Sequence, residues 1–217
     1  QFGHAPSEFA EKSAGLTPLA LAKALRIGSS RPVYVAGLLH VIYDPSLVDG
    51  HHTLATGDWV RRGDPLCLIG DSGTGKSHLL IGLGTAAAEK GYRVKYTLAT
   101  KLVNELVEAA DEKQLARTIA RYGRVDLLCI DELGYMELDR RGAELLFQVL
   151  TEREEKYSVA IASNQSFSGW TDTFTDPRLC AAIIDRLTFN GTIIETGTTS
   201  SRLAHTRATA PERRQVI

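Results

Sequence analysis

Gly70-Asp71-Ser72-Gly73-Thr74-Gly75-Lys76-Ser77 decides how the rest of this chain is read: three glycines lead into Lys-Ser, with an apolar run before them and a helical pattern after. Glycines at 73 and 75 let the backbone come close to phosphates. Successive N–H groups and the start of the following helix stabilise the negative charge. Lys76 is expected to reach the β- and γ-phosphates, and Ser77 to supply a hydroxyl ligand to Mg2+. Alone, this cradle predicts only a phosphate ligand.

The run Val125-Asp126-Leu127-Leu128-Cys129-Ile130-Asp131-Glu132 narrows the ligand to ATP and predicts hydrolysis. It delivers two carboxylates at the C-terminal end of a buried strand, where ligands of open α/β sheets bind. Asp131 is expected to hold the magnesium shell. Glu132 is expected to polarise the attacking water, because in-line displacement at the γ-phosphorus needs an oriented nucleophile. A nucleotide kinase has no need of the second carboxylate, so the pair favours water as the acceptor.

Outward from these motifs, apolar runs alternate with helical patterns, the signature of a parallel sheet covered on both faces. Strands are expected at 65–69, 93–98, 125–130, 158–162 and 192–195. Helices are expected at 76–90, closed by Gly91, at 100–110 with Thr100 as N-cap, at 112–122, at 140–155, and at 176–187 with Pro177 in its first position. The tandem helices at 100–110 and 112–122 exceed what a minimal crossover needs. Residues 1–62 are less legible, with a helix expected at 17–27. The adjacent His51-His52 pair reads as solvated rather than metal-binding.

The 217 residues suit one substantial α/β domain, and 43% hydrophobic content is ordinary for a globular core. Lys plus Arg (25) nearly balance Asp plus Glu (26), so any nucleic-acid surface must come from local clustering of charge. Cys67, Cys129 and Cys180 are too far apart for a metal knuckle and read as buried thiols. The apolar run 33–42 is too short to cross a bilayer, and the first residues lack the order of a signal peptide. A cytoplasmic protein with no membrane partner is expected.

Ser163-Asn164 follows the strand at 158–162. If that strand neighbours the one carrying Asp131 and Glu132, the Asn164 amide can orient the water; the alternative is an ordinary turn former.

The segments GDSGTGKSHLL, LLCIDELGY, LLFQVLTEREEK, ASNQSF, DPRLCAAIIDRL and GTTSSRLAH, spread over residues 54–207, closely resemble the IstB-like AAA+ ATPases, helper proteins of insertion-sequence transposition. The resemblance implies a three-layer P-loop NTPase of the AAA+/ASCE class, with a five-stranded parallel sheet and a reduced or absent C-terminal lid. It divides the chain into a poorly matched N-terminal segment (1–53), an ATPase core (54–200) and a tail (201–217). It further implies ATP and Mg2+ as cofactors, nucleotide-dependent self-association on duplex DNA, and delivery of that DNA to a partner transposase of the same element. The resemblance also implies kinship with DnaC-type helicase loaders and DnaA-type initiators, whose extra helix after the second strand is similar to the tandem helices.

By the same resemblance Asn164 becomes the sensor of the γ-phosphate, and Arg186 matches an arginine finger that reaches the nucleotide of a neighbouring subunit. The alternative for Arg186 is a surface ion pair with a carboxylate. The resemblance offers Arg202 as a second sensor, a role that a reduced or absent lid argues against, and Ser201 stands where relatives tend to carry an aromatic. DNA phosphates are expected to meet basic residues outside the pocket, with Lys95, Lys101, Arg117, Arg121, Arg124, Arg140 and Arg141 as candidates. Competing functions are a helicase loader acting on single strands, a small-molecule kinase, and a scaffold in which ATP only joins subunits.

Overall fold

In the computed structural model, which describes residues 54–196, five strands form one sheet. They are β1 (Leu66–Ile69), β2 (Val94–Leu98), β3 (Leu127–Leu133), β4 (Ser158–Ser163) and β5 (Thr192–Glu195). The order is β2-β3-β4-β1-β5, and every pairing is parallel. The helices are α1 (Asp58–Arg62), α2 (Lys76–Glu89), α3 (Ala99–Asp111), α4 (Leu115–Gly123), α5 (Arg140–Arg153), α6 (Trp170–Thr173) and α7 (Pro177–Thr188).

Strand alternation divides the core in two. Leu66, Leu68, Leu127, Cys129, Ala160 and Ala162 pack on Trp59 of α1 and Leu79, Leu80 and Leu83 of α2. Cys67, Ile69, Leu128, Ile130, Val159 and Ile161 face the other way, toward the buried sides of α3 to α7. Both faces are therefore dry, as a parallel sheet requires, and each fully buried Leu or Ile contributes about 1.5–3 kcal/mol. Burial pushes the thiols of Cys67 and Cys129 up to about 12, so neither is a nucleophile near neutral pH. No helix of the described residues is long and apolar enough to cross a membrane.

The five-stranded parallel sheet is the one expected, and several boundaries differ for local reasons. Helix α3 starts at Ala99 with Leu98 in the cap position and no side-chain cap, so Thr100 is not the N-cap: β2 turns directly into the helix. Helix α4 starts at Leu115 rather than 112, because α3 closes with Gln114 N–H donating to the Ala109 carbonyl (2.7 Å) and Lys113 at φ 59°. Strand β3 continues past 130 through Asp131 and Glu132, with a register shift between Ile130 and Leu133 against β4. The short helices α1 and α6 have too few residues to show a period. Residues 1–53, with the helix expected at 17–27 and His51-His52, lie outside the described residues, as do Ser201, Arg202, the 201–217 tail and the question of a lid.

Capping follows simple chemistry where it occurs. Asp139 accepts from Gly142 N–H (2.8 Å) to start α5, and Asp176 accepts from the N–H groups of Arg178 and Leu179 ahead of α7, with Pro177 in its first turn. At the far end of α5, Arg153 is 1% exposed and donates to three backbone carbonyls: Tyr122 (2.5 Å), Ser158 (2.6 Å) and Asp126 (3.4 Å). It thus ties the end of α4 to the starts of β3 and β4. Burial lowers its pKa to about 10, which still leaves the guanidinium charged at neutral pH. Arg153→Met keeps the apolar stem but strands those carbonyls. It is expected to lower stability by about 3 kcal/mol, read as a shift in urea midpoint at constant m-value.

Candidate nucleotide-binding site

The loop from Gly70 to Gly75 joins β1 to α2, and its backbone depends on glycine: Gly73 has φ 86° and Gly75, the cap residue of α2, φ 96°. No side chain caps α2, whose N-terminus opens directly from the loop. Lys76 is 8% exposed and its ammonium folds across the loop, donating to the Asp71 carbonyl (2.7 Å) and to Thr74 Oγ1 (3.4 Å). The cradle is braced from both sides. Thr74 Oγ1 shares a 2.6 Å hydrogen bond with Thr196 Oγ1 at the end of β5, and Ser72 Oγ shares one of 2.8 Å with the Tyr135 hydroxyl after β3.

Asp131 stands against the start of α2 and is 3% exposed. Its Oδ1 accepts from Ser77 Oγ (3.1 Å) and from Glu132 N–H (2.8 Å), and its Oδ2 accepts from the Tyr96 hydroxyl on β2 (2.6 Å). Burial, and then the hydrogen bond to Asp131, raise the Tyr96 hydroxyl's pKa, so it remains a donor throughout the physiological range. Ser77 Oγ and Asp131 Oδ1 are hard oxygen donors side by side. That suits Mg2+, which takes one or two protein oxygens and keeps the rest of its shell for water and phosphates. Among the described residues no group of three His, Cys, Asp or Glu side chains is placed to hold a metal ion.

Glu132 is exposed and occupies the left-handed region at φ 61°. It falls within the β3 irregularity between Ile130 and Leu133, in a backbone conformation that persists only where the surrounding structure enforces it. Strand β4 is the neighbour of β3, so Asn164, directly after Ser163, lies on the same sheet edge as the carboxylate pair. Gly134 (φ 102°) lets the chain after β3 pass Asn164 closely: a Cβ there would lie 2.8 Å from Asn164 Oδ1. That Oδ1 is buried and has no hydrogen-bond partner in the structure, which leaves an acceptor unused beside the site.

The C-terminal edge of the sheet thus gathers the phosphate loop, Ser77, Asp131, Glu132 and Asn164. Arg186 is elsewhere. It lines a cleft of about 200 Å³ with Asp64, Pro65 and Asn190, which precede β1 and β5, and so lies at the opposite edge. Its Nε donates to Glu154 Oε2 (2.5 Å), and its guanidinium sits 4.4 Å from the centre of the Phe147 ring. Of the basic residues proposed for DNA, Arg121 pairs with Glu105, Arg140 with Glu144 and Arg141 with Asp111. Lys95, Lys101, Arg117 and Arg124 are exposed on β2, α3, α4 and the residue after α4. Sequence reasoning missed Tyr96, Tyr135 and Thr196, whose roles depend on which strands and loops adjoin. For Tyr96 the signal was its parity within β2, which needs the β2–β3 pairing before it points to Asp131.

A parallel β2-β3-β4-β1-β5 sheet with this loop after β1 and this acidic pair on β3 defines a P-loop NTPase of the AAA+ type. The chain belongs to the IstB-like ATP binding protein family, whose model it matches over residues 44–209. It is 39% identical over 150 residues to the insertion sequence ATP-binding protein y4iQ/y4nD/y4sD of Sinorhizobium fredii, covering 69% of this chain and 50% of that protein. It is 36% identical over 149 residues to an ATP-binding protein of insertion sequence IS21 from Pseudomonas aeruginosa, covering 69% and 56%. The chain therefore spans about half the length of these curated relatives. The fold is shared with DnaI (TM-score 0.56, 20% identity, 70% of this chain and 89% of that one) and with AMPPCP-bound DnaA from Aquifex aeolicus (0.56, 21%, 73% and 50%).

Glu132→Gly relieves the left-handed backbone and is expected to raise stability by about 0.5–1 kcal/mol in thermal or urea unfolding. A loss of stability would show that the Glu132 side chain makes a compensating contact.

Proposed function

We propose that this chain is the core of a Mg2+-dependent ATPase that self-associates with ATP on duplex DNA and presents that DNA to a transposase of its own element. Hydrolysis then regulates assembly. The observation that carries this reading is that Arg186 lies at the sheet edge opposite the chain's own phosphate loop, while Lys76, Ser77, Asp131, Glu132 and Asn164 gather at the loop's edge. A site of this kind is completed by a second copy, which couples turnover to assembly. Relatives named for insertion sequences supply the transposition context, and the relation to helicase loaders rests on fold alone.

In this mechanism the loop N–H groups, the α2 terminus and Lys76 bind the β- and γ-phosphates. Ser77 and Asp131 would hold Mg2+, which would neutralise charge on the phosphates. Glu132 takes the proton from a water as that water's oxygen bonds to the γ-phosphorus and the bond to the β–γ bridging oxygen breaks. Asn164 offers its amide to the γ-phosphate or the water. Arg186 from the neighbour stabilises the transferring group, an effect worth about 10³–10⁵ in rate where such residues act. DNA phosphates fall to Lys95, Lys101, Arg117, Arg124 and, if it leaves Glu105, Arg121, through charge rather than base reading. The division into 1–53, 54–200 and 201–217 remains part of this proposal.

The test is the ATPase rate with and without duplex DNA. Duplex is expected to stimulate the wild type more than single strands do; the reverse preference would favour a helicase loader. Glu132→Gln should bind ATP yet lose about 10²–10⁴ of turnover. Arg186→Ala should lose the DNA-stimulated part, and mixing it with Lys76→Ala should recover activity that neither has alone. If DNA does not stimulate and Arg186→Ala equals wild type, assembly-coupled hydrolysis is wrong.

Arg186 must also leave Glu154 before it can serve another copy. Glu154→Gln weakens that hold, and is expected to lower the protein concentration at which the rate is half-maximal, measured by titrating the protein at fixed ATP and DNA.

A further inference from the structure

Among the described residues the large apolar side chains left exposed are Tyr135, Met136, Phe189 and Ile193, and the fold sorts them onto opposite edges of the sheet. Tyr135 and Met136, 53% and 50% exposed, follow β3 at the nucleotide edge. Tyr135 stands beside the phosphate loop there, its hydroxyl 2.8 Å from Ser72 Oγ. Phe189, 61% exposed, and Ile193 belong to the other edge, after α7 and near the start of β5. Phe189 is also a wall of the Arg186 cleft, together with Leu150, Val159 and Leu187. At about 200 Å³ this cleft exceeds several times the ~30 Å³ share of one water, and it has room for a large side chain.

Charge supports the same pairing of edges. Glu132 and Glu137 are exposed on either side of Tyr135-Met136, with no basic residue between them. Arg62 and Arg186 stand at the cleft, paired internally with Asp64 and Glu154. Arg186 gives Glu154 only its Nε, and its terminal nitrogens make no hydrogen bond among the described residues. Most of its five donors are therefore left for another chain. Among the described residues Glu155 is the one cleft carboxylate with no ion pair, set against two arginines with donors to spare.

We propose that Met136, with Tyr135 beside it, is the knob by which one copy of this chain enters the Arg186 cleft of the next and packs against Phe189. This rests on the reading of Arg186 as the residue that a second copy supplies. The two surfaces differ, so the contact is heterologous, and each pair of copies leaves one knob and one cleft open to further copies. Because Tyr135 is one hydrogen bond from Ser72, a cleft seated on Tyr135-Met136 carries its Arg186 to the rim of the phosphate loop. Methionine and aromatic side chains are enriched at such contacts, and Met136, the chain's only methionine, is flexible enough to fill an irregular cleft.

The test titrates the chain with a non-hydrolysable ATP analogue and duplex DNA and reads self-association by sedimentation. Met136→Glu and Phe189→Glu are each expected to raise the concentration of half-maximal assembly about tenfold, with the affinity of the unassembled chain for the analogue unchanged. Both positions are exposed, so both variants should keep the wild-type urea midpoint. In a second arm, chains carrying Met136→Cys are mixed with chains carrying Phe189→Cys and joined with a short bis-maleimide; Cys67, Cys129 and Cys180 are buried and stay unreacted. Cross-linked dimer is expected from the mixture and not from either variant alone. Equal cross-linking by Met136→Cys alone places knob against knob and overturns the proposal, as does wild-type assembly by both glutamate variants. If the wild type does not associate under these conditions, the proposed function fails first, and this inference with it.

Discussion

The Asp131 carboxylate is the joint on which the site depends. Three elements far apart in the chain donate to it: Ser77 from the first turn of α2, Tyr96 from β2, and the Glu132 N–H from the bulged end of β3. A carboxylate at 3% exposure is unfavourable unless its oxygens are satisfied. Those donors are what allow it to be buried, and burial holds it in one orientation against the phosphate loop. Displacing any one of them would leave the buried carboxylate with fewer donors, and losing Ser77 would also cut its link to the helix that carries Lys76.

A second constraint is the polarity of the sheet. All strands run the same way, so every strand-to-helix loop opens at one edge and every return at the other. The phosphate loop, the acidic pair and Asn164 share the first edge; Arg186, Glu154 and the buried Arg153 share the second. Helix α5 runs between them, from its Asp139 cap near the loop after β3 to Arg153. Under the proposed function this helix is the rigid link between the edge that binds nucleotide and the edge offered to another copy.

Much of this organisation was legible. Glycines before Lys-Ser have few structural uses other than an anion cradle, and Leu127 to Ile130 read as a buried strand because a parallel sheet dry on both faces leaves no polar alternation to interrupt the run. The start of α3 was misread because Thr100 looks like a cap, while the backbone had already turned at Leu98. The β3 bulge was invisible, since a left-handed glutamate at 132 is contrary to propensity and persists only where the surrounding structure enforces it. Gly134 was silent for the same reason: its need appears only when Asn164 is beside it.

The sequence by itself determined the chemistry of the cradle, the carboxylate pair and the succession of strands and helices, because these rest on residue type and short-range periodicity. Tertiary structure alone decided that Tyr96 takes one oxygen of Asp131, that Tyr135 and Thr196 brace the phosphate loop, and that Arg186 faces away from it. Those facts follow from strand order and register, which bring together residues whose separation along the chain carries no local signal.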